Sequence, residues 1–274
     1  MTYQFSDTEL AARRLSYLAG VFEPTTRSFL AESAAHRQGI CLDLGCGLGH
    51  TTHLLAEITN SERVVGLDSS ASFLSAAAAT ATPRTGFSPH DVLEVPFPTA
   101  PVDTVFCRFL LSHLSNPLSV VDRWVTQLRP AGLLLLEEVE RIQIADPLFR
   151  DYLGVVTALL ASESQQLYVG RLLATARPSS AEVIRNGVAE LSVPGSKAAT
   201  MFHMNIQSWK DREFVRQTYS ADFVSDLQES LRAVAREEVA AGPVVWGMRQ
   251  ITISVRAGSV ASALSPGSPA SCAC

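Results

Sequence analysis

The segment ICLDLGCGLGHTT, residues 40–52, constrains the fold of this chain more than any other. An apolar stretch is followed by glycines at positions 45, 47 and 49, and then by a stretch of helical character. Glycine adopts unusual backbone angles at little steric cost, so the chain can turn sharply from a strand into a helix. The missing Cβ atoms let a ligand approach the turn, and the following helix offers free N–H groups. The segment therefore predicts a buried strand, a ligand-binding turn and a helix.

Apolar segments of β character alternate with helical segments along residues 40–139. Because parallel strands need crossover connections, the alternation predicts a parallel sheet with helices on both faces. Strands are predicted at 40–45, 63–68, 86–90, 102–108 and 132–139, with helices between them at 50–59, 71–80 and 117–128. Before the first strand, the capping pair Ser6 and Glu9 predicts a helix over residues 6–20, and Pro24 is expected to begin a second helix.

The pattern changes beyond residue 140. Apolar residues recur at helical spacing within 145–176, which predicts a helical insertion over the carboxyl ends of the strands. A helix is predicted at 179–187 and a strand at 188–194, followed by a partly helical region. The β-branched segment VVWGMRQITISVR, residues 244–256, predicts the last strand. The tail 257–274 is rich in Ser, Pro and Gly and is expected to be disordered.

Composition argues against several classes of protein. The net charge is −5 and no dense run of Lys and Arg is present, so binding to nucleic acid through phosphate contacts is disfavoured. The five cysteines are scattered and odd in number, which fits neither a disulfide framework nor a zinc site. The N-terminus shows no secretory signal pattern, and the apolar runs are too short to span a bilayer. We expect a cytoplasmic protein with no membrane or nucleic-acid partner and no bound metal.

An acidic residue at the end of the second predicted strand indicates the kind of ligand. Asp68 is separated from the glycine turn by one predicted helix and one predicted strand. An acid at this position is suited to accept hydrogen bonds from both hydroxyls of a ribose. A dinucleotide fingerprint would place its third glycine at position 50, which is His50 here. A pyrophosphate also avoids a nearby acid, whereas Asp43 precedes the turn and suits a positive ammonium group. These features favour S-adenosylmethionine over NAD.

Five segments together carry a resemblance to a known family. LDLGCGLG, VVGLDSS, HDVLEVPF, CRFLLSHLSNP and LRPAGLLLLEE resemble the class I S-adenosylmethionine-dependent methyltransferases. The similarity is to the small-molecule branch that includes the ubiquinone- and menaquinone-biosynthesis type, and it covers about residues 38–140. It implies an α/β fold: a Rossmann-like, seven-stranded, mostly parallel sheet with helices on both faces and a helical lid insertion.

The resemblance also implies a division of the chain into five regions. Residues 1–37 would be N-terminal helices that close over the cofactor, and residues 38–144 the S-adenosylmethionine-binding core. Residues 145–178 would be the helical lid insertion. Residues 179–256 would hold the end of the core, with its last two strands and a helical substrate-side region, before the tail 257–274.

Cofactor-binding roles follow from the resemblance, position by position. Four residues of the first turn would surround the methionine part of the cofactor: Asp43, Gly45, Cys46 and Gly47. Asp68 would accept from the ribose hydroxyls, with Ser69 beside it. The sugar and the amino-acid end of the cofactor are therefore expected on neighbouring strands.

The resemblance implies further contacts for the base and for the closure of the site. Asp91 would accept from the adenine amino group, and Val92 would contact the ring. Arg108 and Phe109, at the end of the fourth strand, would form the floor of the cofactor cavity. Two residues near the N-terminus are expected to close over the cofactor: Tyr3 and Arg14.

His113 is the candidate catalytic base, because imidazole titrates close to neutral pH and the resemblance places this residue on the substrate side. A structural histidine in a loop is the alternative, and the residues alone leave both open. Glu137, Glu138 and Glu140 follow the fifth strand and are expected to form a solvated strand end.

The expected function is methyl transfer to a small, largely apolar molecule of biosynthetic or secondary metabolism. The region 145–176 offers few polar anchors, which favours a metabolite over a protein or nucleic acid. The accepting atom stays open among oxygen, nitrogen, sulfur and carbon. Two alternatives also stay open: a cyclase or lyase that uses the bound cofactor as a scaffold, and a non-catalytic module that binds a partner. A homodimer or a biosynthetic-enzyme partner is compatible with each.

Overall fold

Seven strands form the centre of the molecule in a computed structural model, which describes residues 9–256. The strands are β1 (Ile40–Leu44), β2 (Arg63–Asp68), β3 (Thr85–Pro89), β4 (Val102–Arg108), β5 (Leu128–Gln143), β6 (Ala181–Val193) and β7 (Val244–Val255). The helices are α1 (Glu9–Ala34), α2 (His50–Ile58), α3 (Ala71–Ala78), α4 (Pro117–Val125), α5 (Pro147–Ser162), α6 (Val169–Leu173), α7 (Gly195–Trp209), α8 (Glu213–Thr218) and α9 (Ala221–Ala235). Ser6, Tyr3 and the tail 257–274 lie outside the described residues.

The strand order is β3-β2-β1-β4-β5-β7-β6. The first five strands of this order are parallel, whereas β7 runs antiparallel to both β5 and β6. The seven-stranded, mostly parallel α/β sheet expected from the sequence is therefore confirmed. The chain leaves β1 in one direction along the sheet and returns to β4 on the other side. Such a switch of direction opens a crevice at the carboxyl ends of the strands, where ligands bind in open α/β sheets.

Alternation along the strands divides the core between the two faces of the sheet. Leu134 and Leu136 of β5 face one apolar cluster, which Trp124 of α4 covers. Leu133 and Leu135 face a second cluster, covered by α1 and α2. Since successive side chains of a strand point to opposite faces, the run GLLLL of β5 supplies both clusters at once.

A third apolar cluster lies beyond the carboxyl ends of the central strands. It joins α5, α7 and α9 to Val139 of β5, to Trp246 and Met248 of β7, and to Phe22 of α1. Within the segment predicted as an insertion, α5 is therefore packed into one helical layer with the region 195–235, whereas Val169 and Leu173 of α6 belong to the cluster that Trp124 covers. No helix within the described residues has both the length and the apolar character needed to cross a membrane.

The N-terminal region forms one helix rather than the two predicted around Pro24. Proline inside a helix removes a hydrogen bond and costs about 3 kcal/mol. Phe22 on one side of Pro24, and Phe29 and Leu30 on the other, are all fully buried. Their burial offsets this cost, because a buried Phe or Leu contributes about 1.5–3 kcal/mol. The prediction of a second helix at Pro24 was wrong because tertiary packing carries the helix through the proline.

The helix predicted at 179–187 is also wrong, because these residues belong to strand β6. Their register runs antiparallel to β7, with Ala181 opposite Val255 and Val193 opposite Val244. Residues 181–187 alternate between exposed and less exposed positions. β6 lies at the edge of the sheet, and its exposed positions include Ile184 as well as Glu182 and Asn186. The segment therefore lacks the strict alternation of apolar and polar residues that marks a half-buried strand in a sequence.

Two helical glycines provide a test of this packing. Gly154 of α5 is exposed, and an added Cβ would meet nothing within 4 Å, whereas a Cβ on Gly170 of α6 would approach the Val139 carbonyl oxygen to 2.8 Å. Gly154→Ala should raise the free energy of unfolding by about 0.5–1 kcal/mol through helix propensity. Gly170→Ala should lower it by about 1–3 kcal/mol through overpacking. Urea denaturation of both variants checks this, and an equal effect of the two changes would contradict the packing of α6 on β5.

Candidate functional site

The turn after β1 has the geometry that its glycines predict. Gly45, Gly47 and Gly49 have φ values of 69°, 51° and 82°, which lie in the left-handed region. The backbone N–H groups of Gly45 and Cys46 both donate to the Leu67 carbonyl oxygen of β2, at 2.8 and 3.1 Å. A Cβ on Gly49 would come within 2.6 Å of the Phe87 ring. The turn is therefore fixed against β2 and β3, and α2 begins directly after it.

Asp43 lies behind this turn rather than in front of it. The carboxylate is buried, and its Oδ2 accepts hydrogen bonds from the hydroxyls of Thr51 and Thr52, each at 2.7 Å. Burial raises the pKa of Asp43 to about 6. The side chain thus links the end of β1 to the first turn of α2, and it supports the glycine turn from within the protein.

A cavity of about 180 Å³ opens in front of the turn, at the carboxyl ends of β1, β2 and β4. Eleven of the residues singled out in the sequence line it: Arg14, Gly45, Cys46, Gly47, Asp68, Ser69, Asp91, Val92, Arg108, Phe109 and His113. Tyr3 lies outside the described residues, and Asp43 lies beneath the cavity. The structure therefore brings most of the predicted cofactor-binding residues to one place.

Asp68 connects β2 to the glycine turn. Its Oδ2 accepts from the Gly47 backbone N–H at 2.8 Å, and its Oδ1 accepts from the Ser70 N–H at 2.9 Å. A carboxylate has about four acceptor sites, so these two hydrogen bonds do not use its full capacity to accept. Asp91 shapes the next loop in a similar way, because its Oδ1 accepts from the Leu93 N–H at 2.9 Å.

The floor of the cavity is a loop in an unusual conformation. Phe109 has a φ of 56°, a value that costs a non-glycine residue about 1–2 kcal/mol. The loop is held by Glu138 of β5, whose Oε1 accepts from the backbone N–H groups of Leu110 and Leu111, both at 2.8 Å. Arg108 donates to the Thr26 hydroxyl of α1 at 2.7 Å. The floor is thereby tied to both β5 and α1.

Glu137 and Glu138 are fully buried, which corrects the prediction of a solvated strand end. Glu137 accepts from Thr26 and from Gln250, and the charge of nearby Arg108 partly offsets the burial that raises its pKa. Burial raises the pKa of Glu138 to about 8. The sequence shows only two acids after an apolar run, and the partners that keep them inside come from distant segments.

His113 lies in a 3₁₀ turn, Leu111–His113, and faces the cavity from the floor loop. Its Nδ1 is 3.4 Å from Oε1 of Gln165, which lies between α5 and α6. With this oxygen as acceptor, Nδ1 carries the proton and Nε2 carries the lone pair. Burial lowers the pKa of His113, and the charge of Arg14 lowers it further. The imidazole is therefore neutral at neutral pH and can accept a proton.

A second cavity, of about 150 Å³, adjoins the first. Arg14, Leu18, Phe109 and His113 line both. The remaining walls are mostly apolar or aromatic and come from α1, α5, α7 and the neighbouring strands; they include Phe22, Val139, Tyr152, Val156, Leu160, Met201, Phe202, Trp209 and Trp246. Phe202, Trp209 and Trp246 belong both to the third apolar cluster and to the wall of this cavity.

Comparison with known proteins identifies the part of the chain that carries the first cavity. Residues 41–132 match the family described as Methyltransferase domain. Residues 41–132 therefore form a domain similar to the class I S-adenosylmethionine-dependent methyltransferases. A curated relative of this domain, the trans-aconitate 2-methyltransferase of Azoarcus sp. (strain BH72), is 35% identical over 111 residues. The match covers 40% of this chain and 43% of the relative.

Solved structures share the fold of the methyltransferase domain at lower identity. Coclaurine N-methyltransferase bound to N-methylheliamine and SAH superimposes with a TM-score of 0.53, at 16% identity, over 85% of this chain and 72% of that one. The [4+2]-cyclase SpnF superimposes with a TM-score of 0.54, at 18% identity, over 85% of this chain and 82% of that one. Since the chain spans less than half the length of the curated relative, the sequence similarity belongs to the domain and not to the whole protein.

The structure adds to the first cavity two residues to which the sequence analysis gave no cofactor-binding or catalytic role. Gln165 contacts His113, and His50 hydrogen-bonds through Nε2 to the Ser16 hydroxyl of α1 at 3.0 Å. Both Gln165 and His50 line the first cavity. Gln165 had no periodic or motif signal, because its position depends on how α5 packs against the floor loop.

Glu138 offers a test of how the floor loop is held. Because burial raises the carboxyl pKa from its ordinary 4.5 to about 8, the folded state binds more protons than the unfolded state between these values. The free energy of unfolding should therefore fall as pH rises through this window. Glu138→Gln cannot ionise and should weaken this dependence between pH 5.5 and pH 8 by at least about 1 kcal/mol.

The matched change Glu138→Ala leaves the N–H groups of Leu110 and Leu111 without their acceptor. It should lower the free energy of unfolding at both pH values by about 1–3 kcal/mol. Urea denaturation of the wild type and both variants gives the comparison. The assignment is wrong if Glu138→Gln shows the same pH dependence as the wild type.

Proposed function

We propose that this protein transfers a methyl group from S-adenosylmethionine to a small, largely apolar molecule. The observation that carries the proposal is the pair of adjoining cavities. The first lies at the carboxyl ends of the strands, mainly within residues 41–132, and includes charged residues such as Asp68, Asp91 and Arg108 in its lining. The second is mostly apolar and aromatic. They meet at Phe109 and His113, which line both. A cofactor in the first cavity and an acceptor in the second would face each other across this boundary.

The residues of the first cavity fit S-adenosylmethionine. Gly45 leaves a space that a Cβ would fill, since that atom would lie 3.0 Å from the Leu110 side chain. Asp68 offers carboxylate oxygens to a ribose diol, and Asp91 offers an acceptor to an amino group. When bound, the cofactor supplies an electrophilic methyl group on a sulfonium, so that the C–S bond breaks and its electron pair stays on sulfur. The product is S-adenosylhomocysteine.

The protein's own contribution would be alignment, exclusion of water and movement of one proton. Holding reactants in line can supply about 7–11 kcal/mol of the barrier. The apolar walls of the second cavity would keep water from the acceptor. If the acceptor carries hydrogen on its attacking atom, Nε2 of His113 would accept that proton as the new bond to carbon forms. The helical layer over this cavity would act as the lid.

The lining of the second cavity supports the apolar character of the acceptor. Arg14 is the one arginine or lysine among its lining residues. The relative named for trans-aconitate acts on a molecule with three carboxylates, which would call for several cationic partners. A cavity of 150 Å³ lined by apolar groups accommodates a ring the size of benzene. We therefore place the acceptor among small ring-containing metabolites, as part of biosynthetic or secondary metabolism in the cytoplasm.

The first test is binding of S-adenosylhomocysteine, measured by calorimetry. Asp68→Ala removes the proposed ribose contact and should weaken binding at least tenfold, because hydrogen bonds to charged groups contribute about 1.5–3 kcal/mol. Asp226→Ala, the same change on the exposed surface of α9, should leave the affinity unchanged. Absence of binding by the wild type would refute the assignment of the cavity. Binding without methyl transfer from labelled cofactor to any extracted metabolite would favour a cyclase or a non-catalytic module instead.

The second test concerns His113. Only the neutral imidazole accepts a proton, and burial lowers its pKa below the ordinary 6.5. The rate should therefore rise with pH through a pKa below 6.5 and then level off. His113→Gln should lower the plateau about 10²- to 10⁴-fold and remove this step from the pH profile, with S-adenosylhomocysteine affinity within about threefold of the wild type. An unchanged pH profile in the variant would show that His113 is structural.

A further inference from the structure

The segment that follows α5 contacts the floor loop through two neighbouring residues. The backbone N–H of Gln166 donates to the Ser112 carbonyl oxygen at 3.1 Å, and Oε1 of Gln165 lies 3.4 Å from Nδ1 of His113. Both contacts join the end of α5 to the 3₁₀ turn Leu111–His113. The position of Gln165 beside His113 is therefore fixed by a backbone hydrogen bond as well as by the side chains.

The way in which α5 ends directs Gln165 toward the floor loop. Ser164 has a φ of 58°, in the left-handed region, and the N–H of Gln165 donates back to the Leu160 carbonyl oxygen at 2.9 Å. A left-handed residue and a backbone bond to the last helical turn are common at helix C-termini. Gln165 is half-buried, whereas Ser164 and Gln166 on either side of it are exposed. The helix end thus turns one of three polar residues inward.

The contact at Nδ1 determines which nitrogen of His113 carries the proton. A neutral imidazole has one N–H, and free histidine in water favours the form with the proton on Nε2. The proposed proton transfer needs the other form, because Nε2 accepts only when it carries no hydrogen. An acceptor beside Nδ1 selects that form, since the partner of one ring nitrogen sets the state of the other. The Gln165 oxygen is such an acceptor.

Charged and titratable groups surround His113 from several elements, and they act on its pKa in different ways. Burial lowers this pKa, the hydrogen bond with Gln165 raises it, and the charge of Arg14 on α1 lowers it. Glu138 of β5 holds the neighbouring N–H groups of the loop. Further groups of this kind line the two cavities with His113: His50, Asp68, His90, Asp91, Arg108 and Tyr152.

We infer that Gln165 is a positioning residue for the proposed methyl transfer, because it holds His113 in the tautomer that carries its proton on Nδ1. Nε2 then keeps its lone pair for a proton from the acceptor. Since Leu153, Val156 and Leu160 of α5 line the second cavity, the helix that forms the acceptor wall also orients the base. The role in transfer rests on the proposed function; the tautomer rests on the contact between the end of α5 and the floor loop.

The tautomer can be read directly by NMR of the full-length protein labelled with heavy nitrogen at histidine, without any ligand. The chain has six histidines, and His113→Gln identifies the signals of His113 by their loss. At a pH above the pKa of His113, we expect the proton on Nδ1, since Gln165 accepts it there. A wild type whose His113 carries its proton mainly on Nε2 overturns the inference, because the Gln165 amide then presents its NH₂ group to the ring.

Two changes at Gln165 should move the pKa of His113 in opposite directions. Gln165→Leu removes the acceptor, so the proton should shift toward Nε2 and the pKa should fall below that of the wild type. Gln165→Glu keeps an acceptor and adds a negative charge, so the proton should stay on Nδ1 and the pKa should rise by about one to three pH units. Both values come from the same NMR spectra recorded against pH.

Gln166→Glu is the matched control, because it makes the same change on the exposed neighbouring side chain and leaves the backbone bond to Ser112 in place. Since exposed charges are screened by salt, it should shift the pKa of His113 by less than about half a pH unit. Equal shifts in Gln165→Glu and Gln166→Glu contradict the role of Gln165. So does a Gln165→Leu variant with the tautomer and pKa of the wild type.

These measurements separate the inference from the proposed function, because they need neither cofactor nor acceptor. Binding of S-adenosylhomocysteine by a wild type with its His113 proton on Nε2 refutes the inference and leaves the proposed function standing. A proton on Nδ1 without binding of S-adenosylhomocysteine refutes the proposed function and leaves the tautomer assignment standing. If a Gln165 variant does not fold, as judged by circular dichroism, the tautomer of the wild type still decides the inference.

Discussion

Three carboxylates, of which Asp43 and Glu138 are buried, accept hydrogen bonds from the turns and the helix start around this site and hold it in shape. Asp43 accepts hydrogen bonds from the first two threonines of α2, and Asp68 accepts one from the backbone N–H of Gly47. Glu138 accepts two from backbone N–H groups of the floor loop. Asp43 and Asp68 lie at or next to the carboxyl ends of β1 and β2, and Glu138 of β5 lies beside the carboxyl end of β4. At these three places the rigid sheet gives way to a turn or loop that takes an unusual conformation. Without such acceptors, the left-handed residues Gly47 and Phe109 would lose the contacts that fix them.

Placing these acids inside the protein has an energetic cost that their partners only partly offset. Burial raises the pKa of Asp43 to about 6 and that of Glu138 to about 8, although both accept two hydrogen bonds. The carboxylate form is thus destabilised relative to water, and the fold tolerates this because the sheet around it is well packed. Strain of this kind is typical of sites in which loops must be preorganised for a ligand.

The sequence predicted the parts of the site that depend on short-range pattern. The glycine turn, Asp68, Asp91 and the floor residues Arg108 and Phe109 each follow a strand, and parallel strands end at one edge. Their convergence on one cavity therefore follows from alternation of strands and helices. The parallel part of the sheet could be predicted in the same way, because the alternation of strands and helices determines it. The β-branched segment near the C-terminal end identifies β7.

The sequence failed where distant segments decide the outcome. Glu137 looked solvent-exposed because its partners, Thr26 and Gln250, lie more than a hundred residues away in the chain. Residues 179–187 looked helical because this edge strand lacks a strict alternation of apolar and polar residues, and its pairing with β7 depends on a segment about 60 residues later. Pro24 looked like a helix boundary because α1 continues through it only by packing against distant parts of the fold. The local sequence does not show this packing.

The two cavities differ in how much of their lining comes from the part of the chain that resembles the methyltransferase family. This difference explains why that similarity says little about the acceptor. The first cavity is built mainly from the ends of strands within residues 41–132, the part that matches the methyltransferase family. The second is built largely from α5, α7 and β7, which lie beyond that part. A change in α7 alters the acceptor wall without touching the glycine turn or Asp68. Four residues line both cavities: Arg14, Leu18, Phe109 and His113. Under the proposed function, a change of acceptor would have to remain compatible with the cofactor at these positions.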